Sequence, residues 1–431
     1  MTTAYRHDGP VDFTDLFSGA GGFTAGFTEA GYHGRLSANH DQVAVSTHRA
    51  NFPHIEHWCE DINQMDKRRL PRTRILIGSP ICTEISPAGG RKRTSKKEVR
   101  GQAAMEFEDG EHAKPETFER TRATALDILA ATDCNRYDAV VFENVIEFAL
   151  DWDLFDWWLQ GFRVIGYNVQ VFCATSSHLE GEGNEAAPQD RDRVYGVITR
   201  EGIPLPDLTV SPRALCPECG PVHAVQVWRN PRRPKIGKHG VQYDYRCPNR
   251  TCGHLILDPS VRPVAEIIDW TLKGTRIADG RPDRKKFTPY AASTRARVQV
   301  GLDRFGVDPH LAILRRHATA VPLTGAVPAV SAQGRHHALI IPNGRKGAPR
   351  TTDQPLTTVA TKPHHSLVQP APTVDDCTLR MLHTDELKQV QRFTRGYIVN
   401  GNQEERILQI GNAVSVNAAH WIAERLMRVL A

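Results

Sequence analysis

The sequence predicts an α/β fold, a parallel sheet with helices on both faces, and three observations lead there. Short apolar runs alternate with helical stretches from residue 11 to about residue 200. The first run, Val11–Phe17, leads through the glycine turn Ser18-Gly19-Ala20-Gly21-Gly22 into a helical stretch. Polar or reactive residues stand just beyond the ends of the runs, where open α/β sheets carry their chemistry. The chain has 431 residues, 40% hydrophobic and 24% charged, enough to bury a full core in two or three domains.

Each element follows from its own residues. After the glycine turn, Phe23–Ala30 reads as a helix stopped by Gly31. Strand, glycine turn and helix form a nucleotide-type cradle, because glycines let the backbone approach a ligand and a helix N-terminus offers unpaired N–H groups. A second strand, Arg35–Ala38, ends at Asn39-His40-Asp41, about twenty residues on, where such folds place a ribose-binding side chain. Val43–Asn51 reads as a helix, Trp58–Ile62 as the end of a third strand, and Arg74–Ile77 as a buried fourth. Phe118–Ala131 has the pattern of an amphipathic helix; Ala139–Phe142, a stretch within Phe162–Ala174, and Val194–Ile198 complete the strands.

Three groups at strand ends are candidates for chemistry. Cys82 follows the Gly78-Ser79-Pro80 turn, a loop position that fits either a nucleophile or a small buried thiol. Glu143 and Asn144 stand at the tip of an apolar strand, where an acid is costly unless paired or exposed in a cleft. In Gln189-Asp190-Arg191-Asp192-Arg193, strand alternation would turn Gln189, Arg191 and Arg193 to one side. Between these groups, Arg91–Arg100 carries six basic residues and one acid, a solvated loop or a phosphate contact.

Beyond Thr199 the alternation stops, placing a domain boundary near Arg200. Two short-spaced pairs, Cys216/Cys219 and Cys247/Cys252, each trailed by glycine, have the pattern of a tetrahedral thiolate zinc knuckle over about residues 214–255. Four cysteines fill the coordination shell, so the site is read as structural. Arg229, Arg232, Arg233, Lys235 and Lys238, interleaved with Trp228, Tyr243 and Tyr245, suit a nucleic-acid surface. Ser293–Phe305 reads as a basic amphipathic helix and Thr351–Val368 as turn and strand; His336-His337 and His364-His365 show no pattern. Arg380–Phe393 is helical in pattern, and Gly411-Asn412 forms a turn opening a last amphipathic helix.

Net charge is +5 with pI near 8.7, weak support for an anionic partner. No apolar run approaches membrane-spanning length, and Met1–Pro10 lacks a signal-peptide core. Nine cysteines without such a signal argue against a secreted disulfide framework. A cytoplasmic, nucleoid-associated protein with no membrane partner is expected.

Taken in order, the motifs resemble those of the C5-cytosine-specific DNA methyltransferase family. Asp15–Phe23 resembles its S-adenosylmethionine-binding motif and Gly78–Ser86 its G-x-P-P-C-Q-x-F-S nucleophile motif. Glu143-Asn144-Val145 matches E-N-V, Gln189–Arg193 matches Q-x-R-x-R, and Leu379–Phe393 and Gln409–Val414 resemble the closing motifs. The likeness covers about residues 11–200 and 350–431 and omits the segment between, where the family keeps its target-recognition region. It implies a Rossmann-like S-adenosylmethionine-dependent domain over 11–200, a smaller irregular recognition region with a zinc-ribbon-like insertion over 201–350, and a return to the catalytic domain over 351–431.

The implied activity is transfer of a methyl group from S-adenosyl-L-methionine to C5 of a flipped-out cytosine through a Cys82 adduct. Glu143 would serve N3 of the base; Asn144 shares its motif; Arg191 and Arg193 would hold the base carbonyl and a flanking phosphate. Phe17, Gly19, Gly21, Gly22, Asn39, Asp61, Ile62, Pro80 and Asn412 would bind the cofactor, with Phe17 against adenine, Asn39 at ribose, and Asp61 and Ile62 at the adenine edge. The implied partner is double-stranded DNA, with room for a cognate restriction endonuclease, and a monomer is expected. Methylation of RNA cytosine is disfavoured by the basic region 200–350, and an inert zinc-containing DNA-binding protein by the intact catalytic set. An amino-directed methyltransferase would need an Asp/Asn-Pro-Pro-aromatic loop. The chain departs from the family pattern at Ile81, Thr83 and Asn39, and its basic loop 87–116 is longer, suggesting a clamp over DNA.

Overall fold

The computed structural model describes residues 10–81, 119–314, 320–332, 336–342 and 373–430. Cys82, Thr83, the basic loop 87–116 and the segment Thr351–Val368 lie outside the described residues. The chain forms two compact units, one of residues 1–262, 326–334 and 387–431, the other of 263–325 and 335–386.

The first unit opens with β1 (Asp12–Leu16), α1 (Gly22–Glu29), β2 (His33–Asn39), α2 (Gln42–Asn51), β3 (Glu56–Cys59) and β4 (Ile75–Gly78). It continues with α3 (Glu119–Asn135), β5 (Ala139–Val145), α4 (Ile146–Asp151), α5 (Phe155–Val164), β6 (Tyr167–Thr175), β7 (Gln189–Asp190) and β8 (Asp192–Arg200). Gly31, with φ +89°, supplies the left-handed stop after α1, and Asp41 caps α2 by accepting from the Val43 amide at 2.8 Å.

Seven strands make one sheet in the order β3-β2-β1-β4-β5-β8-β6. β3 to β5 run parallel, but β8 is antiparallel to both β5 and β6, a departure from the expected all-parallel sheet. The physical reason is the connection: β6 joins β8 through a 3-10 turn and loop with no crossover helix, so β8 must return alongside β6. Both faces of the sheet are covered, as its apolar strands require. Phe13, Ile75, Ile77 and Val141 face one core layer with Phe27, and Leu76, Val140 and Phe142 face the other with Ile128 and Trp158.

Other boundaries also moved. Phe162–Val164 belong to α5, not to a strand. The third strand ends at Cys59, and Asp61 instead caps a 3-10 turn over Ile62–Gln64.

Within the same unit, β9 (Arg213–Cys216) and β10 (Gly220–His223) form a hairpin, and β11 (Val225–Trp228), β12 (Tyr243–Arg246) and β13 (Ile256–Leu257) form a small antiparallel sheet.

The second unit holds an antiparallel sheet of β14 (Thr275–Arg276), β15 (His310–Ile313), β16 (Ala320–Pro322), β18 (His337–Pro342) and β19 (Cys377–Met381), with helix α6 (Ala292–Phe305). Val298 and Leu302 of α6 join Ala312, Ile340 and Leu379 in its core. Arg380 lies in β19, so the helical pattern expected from Arg380 begins only with α7 (Thr384–Val390). Arg380 and Glu386 form a bidentate pair with both nitrogens 2.7 Å from carboxylate oxygens, Glu386 being 2% exposed.

The first unit also includes β17 (Val327–Pro328), parallel to β7, and ends with α8 (Gln403–Asn412) and α9 (Val416–Leu430). Gly411 and Asn412 thus close α8 rather than open the last helix. α9 lies on α1: a Cβ on Gly26 would stand 2.5 Å from both Ala419 Cβ and Val416 O, so the small residue sets the approach.

Candidate active site

The parallel strands β3-β2-β1-β4-β5 deliver the predicted residues to one edge of the sheet. Phe17 follows β1, Asn39 ends β2, Asp61 and Ile62 follow β3, Pro80 follows β4, and Glu143 and Asn144 end β5. Chain connectivity runs outward from β1 to β2 on one side and from β4 to β5 on the other, so the strand order reverses at β1/β4. Such reversals leave the crevice in which α/β sheets bind ligands.

On the β1 side, Phe17 has φ +61°, unusual for a side chain of its size, and its amide donates to Ala38 O at 2.9 Å. Gly19 (φ +53°) and Gly21 (φ +85°) continue the turn. A Cβ on Gly19 would meet nothing closer than 3.9 Å, whereas one on Gly22 would lie 2.0 Å from Val414 O. The glycines therefore do two jobs: Gly19 leaves room toward the crevice, and Gly22 admits the loop after α8. Asn39 is 8% exposed and accepts from the Asp41 amide at 2.9 Å. Asp61 accepts from the Asn63 amide, Ile62 is buried, and Asn412 is exposed at the end of α8.

The catalytic candidates divide. Glu143, 5% exposed, lies 2.8 Å from Arg193 Nε across β5 and β8. The contact is an ion pair without hydrogen-bond alignment, leaving Glu143 Oε1 buried and lacking a hydrogen-bond partner among the described residues. Asn144 Nδ2 donates to Pro80 O at 2.9 Å. Arg191 goes elsewhere: its guanidinium donates to Val330 O, Gly411 O and Ala413 O at 3.1–3.3 Å. Arg191 and Arg193 are thus not brought together on one target.

Several contributors have no local sequence signal. Thr124, on α3, accepts from the Ile81 amide at 3.1 Å, holding the residue before Cys82, as Asn144 holds Pro80. Tyr397 Oη donates to Ala20 O inside the glycine turn. Behind that turn, Thr24 Oγ1 donates to Asp15 Oδ2 at 2.7 Å and contacts His48 Nε2 at 2.9 Å. Burial drives the Asp15 carboxyl up to about 7 and the His48 imidazole down to about 3. These partners are distant in sequence, and only the fold joins them.

The four predicted metal ligands are assembled. The Sγ atoms of Cys216, Cys219, Cys247 and Cys252 all lie within 4.8 Å of one another. Sulfurs sharing a zinc at ~2.3 Å stand ~3.8 Å apart, so the set needs only a small contraction to close on one ion. Two turns present them: Gly220 (φ +74°) follows the first pair and Gly253 (φ +64°) the second. The Thr251 hydroxyl and then Asn249, by hydrogen bonding, pull the Cys219 thiol down to about 7, toward the ligating thiolate.

A sequence model of the family described as C-5 cytosine-specific DNA methylase matches residues 11–109 and 304–428, just over half of the chain. Cys82 lies inside these ranges; Glu143, Arg191, Arg193 and the four cysteines lie outside. The chain is 37% identical over 103 residues to the Type II methyltransferase M1.HphI of Haemophilus parahaemolyticus, which is 22% of this chain and 28% of that protein. It is 27% identical over 221 residues to the Type II methyltransferase M.HgiBI of Herpetosiphon aurantiacus, 47% of this chain and 41% of the relative. The chain thus spans less than half the length of these curated relatives. Two solved structures share its fold: Entamoeba histolytica methyltransferase EhMeth (TM-score 0.50, 12% identity, 98% of this chain and 100% of that one) and S. pombe Dnmt2 methyltransferase (TM-score 0.50, 12% identity, 97% and 99%).

Proposed function

The chain belongs to the C-5 cytosine-specific DNA methylase family, and from that premise we propose that it methylates C5 of cytosine in double-stranded DNA. The observation that carries the proposal is the buried Glu143–Arg193 pair beside the Asn144–Pro80 bond, two residues before Cys82. It gathers a carboxylate, a guanidinium and the approach to a thiol at adjacent strand ends.

The chemistry needs this set. C5 of cytosine is too weak a nucleophile alone; addition of the Cys82 thiolate to C6 turns the ring into an enamine-like nucleophile. Electron density moves toward N3 as the S–C6 bond forms, and the buried Glu143 carboxyl, in its acid form, donates a proton or hydrogen bond there. Arg193 keeps Glu143 in place and offers its guanidinium to the base carbonyl. Arg191 contributes by fixing residues 411–413 through the Gly411 and Ala413 carbonyls and tying them to Val330 O. After methylation, loss of the C5 proton and departure of the Cys82 sulfur restore the aromatic ring. Such chemistry reaches its atoms only when the base leaves the duplex.

S-adenosyl-L-methionine, when bound, supplies the electrophilic methyl group. The crevice suits it: an open Gly19, apolar Phe17 and Ile62, and polar Asn39 and Asp61 at successive strand ends, with Pro80 and Asn412 completing the wall. The four cysteines hold a structural zinc with no open coordination position. A cognate restriction endonuclease, blocked by this methylation, is the partner such an activity would serve. Among the described residues no helix is long and apolar enough to cross a membrane.

The test is trapping on duplex DNA carrying 5-fluorocytosine, where the fluorine cannot leave and the adduct persists. Wild type should form the complex and Cys82→Ala should not; trapping by Cys82→Ala, or methyl transfer to RNA but not DNA, would overturn the proposal. About one zinc per chain is expected on metal analysis.

A further inference from the structure

Glu143 and Arg193 come from strands that are neighbours in space but joined by 49 intervening residues. Their 2.8 Å pairing depends on the relative position of two strand ends: the exit of β5 into α4, and the entry of β8. Two consecutive residues of the loop between β11 and β12 hold one of these ends each. Lys238 Nζ pairs with Glu147 Oε1 at 2.8 Å, in the first turn of α4 and four residues beyond Glu143. The His239 amide donates to Asp192 Oδ1 at 3.2 Å, the residue beside Arg193. Asp192 is braced further by the Thr175 hydroxyl at 2.5 Å.

The loop is seated by more than these bonds. Trp228, at its start, and Ile236, within it, pack on the small core of Ile146, Cys173 and Val194, which belong to α4, β6 and β8. Gln226 Nε2 donates to Cys173 O at 3.1 Å, tying β11 to β6. Glu147 is 3% exposed, so its carboxylate is a buried charge, and the Lys238 ammonium that pairs with it has a side chain 37% exposed.

We infer that Lys238 is a positioning residue: through Glu147, with His239 holding Asp192, it couples the four-cysteine module to the alignment of the Glu143–Arg193 pair. The inference rests on the proposed cytosine methylation. The cysteine module is then part of the catalytic architecture and not only a surface for DNA. A misplacement of the order of 1 Å at a reacting group costs up to about a hundredfold in rate, so the coupling is measurable.

The experiment measures kcat, KM for DNA and melting temperature in Lys238→Met, Lys238→Arg, Glu147→Gln and the double variant Lys238→Met/Glu147→Gln. Lys238→Met should lower kcat about ten- to a hundredfold, with KM for DNA changed less than about threefold. Lys238→Arg, which keeps the pair, should restore kcat to within about threefold of wild type. The double variant, which removes both charges of the pair, should regain the melting temperature lost in Lys238→Met while kcat stays low. A drop confined to KM would make Lys238 a DNA contact, and recovery of kcat together with melting temperature in the double variant would make the pair merely structural; either overturns the inference. An inactive wild type would instead refute the methylation on which it rests.

Discussion

Asparagine at position 15 isolates one buried charge. Asp15 is the penultimate residue of β1, just ahead of Leu16 and the glycine turn, and it is 1% exposed. Burial, opposed by hydrogen bonding from Thr24, lifts its carboxyl from the ordinary 3.8 to about 7. At 1.36 kcal/mol per pH unit this is worth ~4 kcal/mol between the two protonation states. The folded chain holds this proton more tightly than the unfolded chain, so the stability it contributes is complete below about pH 4 and is lost as pH climbs through about 7. Between pH 5 and pH 8 the wild type should therefore lose about 2–3 kcal/mol at this one site. Asp15→Asn keeps the shape and an oxygen to accept from Thr24 but does not titrate. Its stability relative to wild type should rise by about that amount across the same interval. His48, driven down to about 3 by burial, stays neutral in the folded state throughout. All other titrations are shared by the two chains and cancel in the difference. Urea unfolding of both chains at pH 5, 6, 7 and 8 measures it. Parallel stability curves, with no widening in favour of Asp15→Asn above pH 6, would refute the assignment of a buried protonated carboxyl.

Three further outcomes can be measured. Arg191→Met removes three bonds to Val330, Gly411 and Ala413 carbonyls, and urea unfolding should show a loss of about 3 kcal/mol. Gly22→Ala would push a methyl to within 2.0 Å of Val414 O, while Gly31→Ala meets nothing within 4 Å but keeps φ +89°. The free energy of unfolding should therefore fall by about 1–3 kcal/mol for the first through overpacking and by about 1 kcal/mol for the second through backbone strain; only Gly22→Ala should also raise KM for the methyl donor. Cys252→Ser opens the four-cysteine set, so bound zinc by metal analysis should fall below one per chain and the melting temperature should drop.

Much of this architecture was legible because strand ends announce themselves. Ile75-Leu76-Ile77 and Ala139–Phe142 are apolar on both faces, which only a covered sheet accommodates, and the residues that follow each run stand at the crevice. The cysteine spacing was equally direct, since two short turns bring four sulfurs together whatever else the chain does. The boundaries that moved have a common cause. Phe162-Arg163-Val164 and Arg380-Met381 have residue types that suit helix and strand alike, and tertiary packing decided each. The direction of β8 depends on what connects it to β6, and a loop carries no periodicity from which direction can be read.

The two arginines of Gln189–Arg193 mark where a motif stops short of a mechanism. Alternation puts residues 191 and 193 on the same side of an extended strand. Yet β7 ends at Asp190 and β8 begins at Asp192, so Arg191 sits at a break between two pairings, β7 with β17 and β8 with β5 and β6. A side chain at such a break is not bound to the face its neighbours occupy. Arg191 is 3% exposed and bonds to carbonyls of Gly411 and Ala413, whereas Arg193, within the regular ladder, pairs with Glu143. A guanidinium held by these carbonyls ties the β7–β8 break to the closing loop. Removing Arg191 would thus disturb the closing loop first and the chemistry second, while removing Arg193 would strip a buried carboxylate of its counter-charge at once.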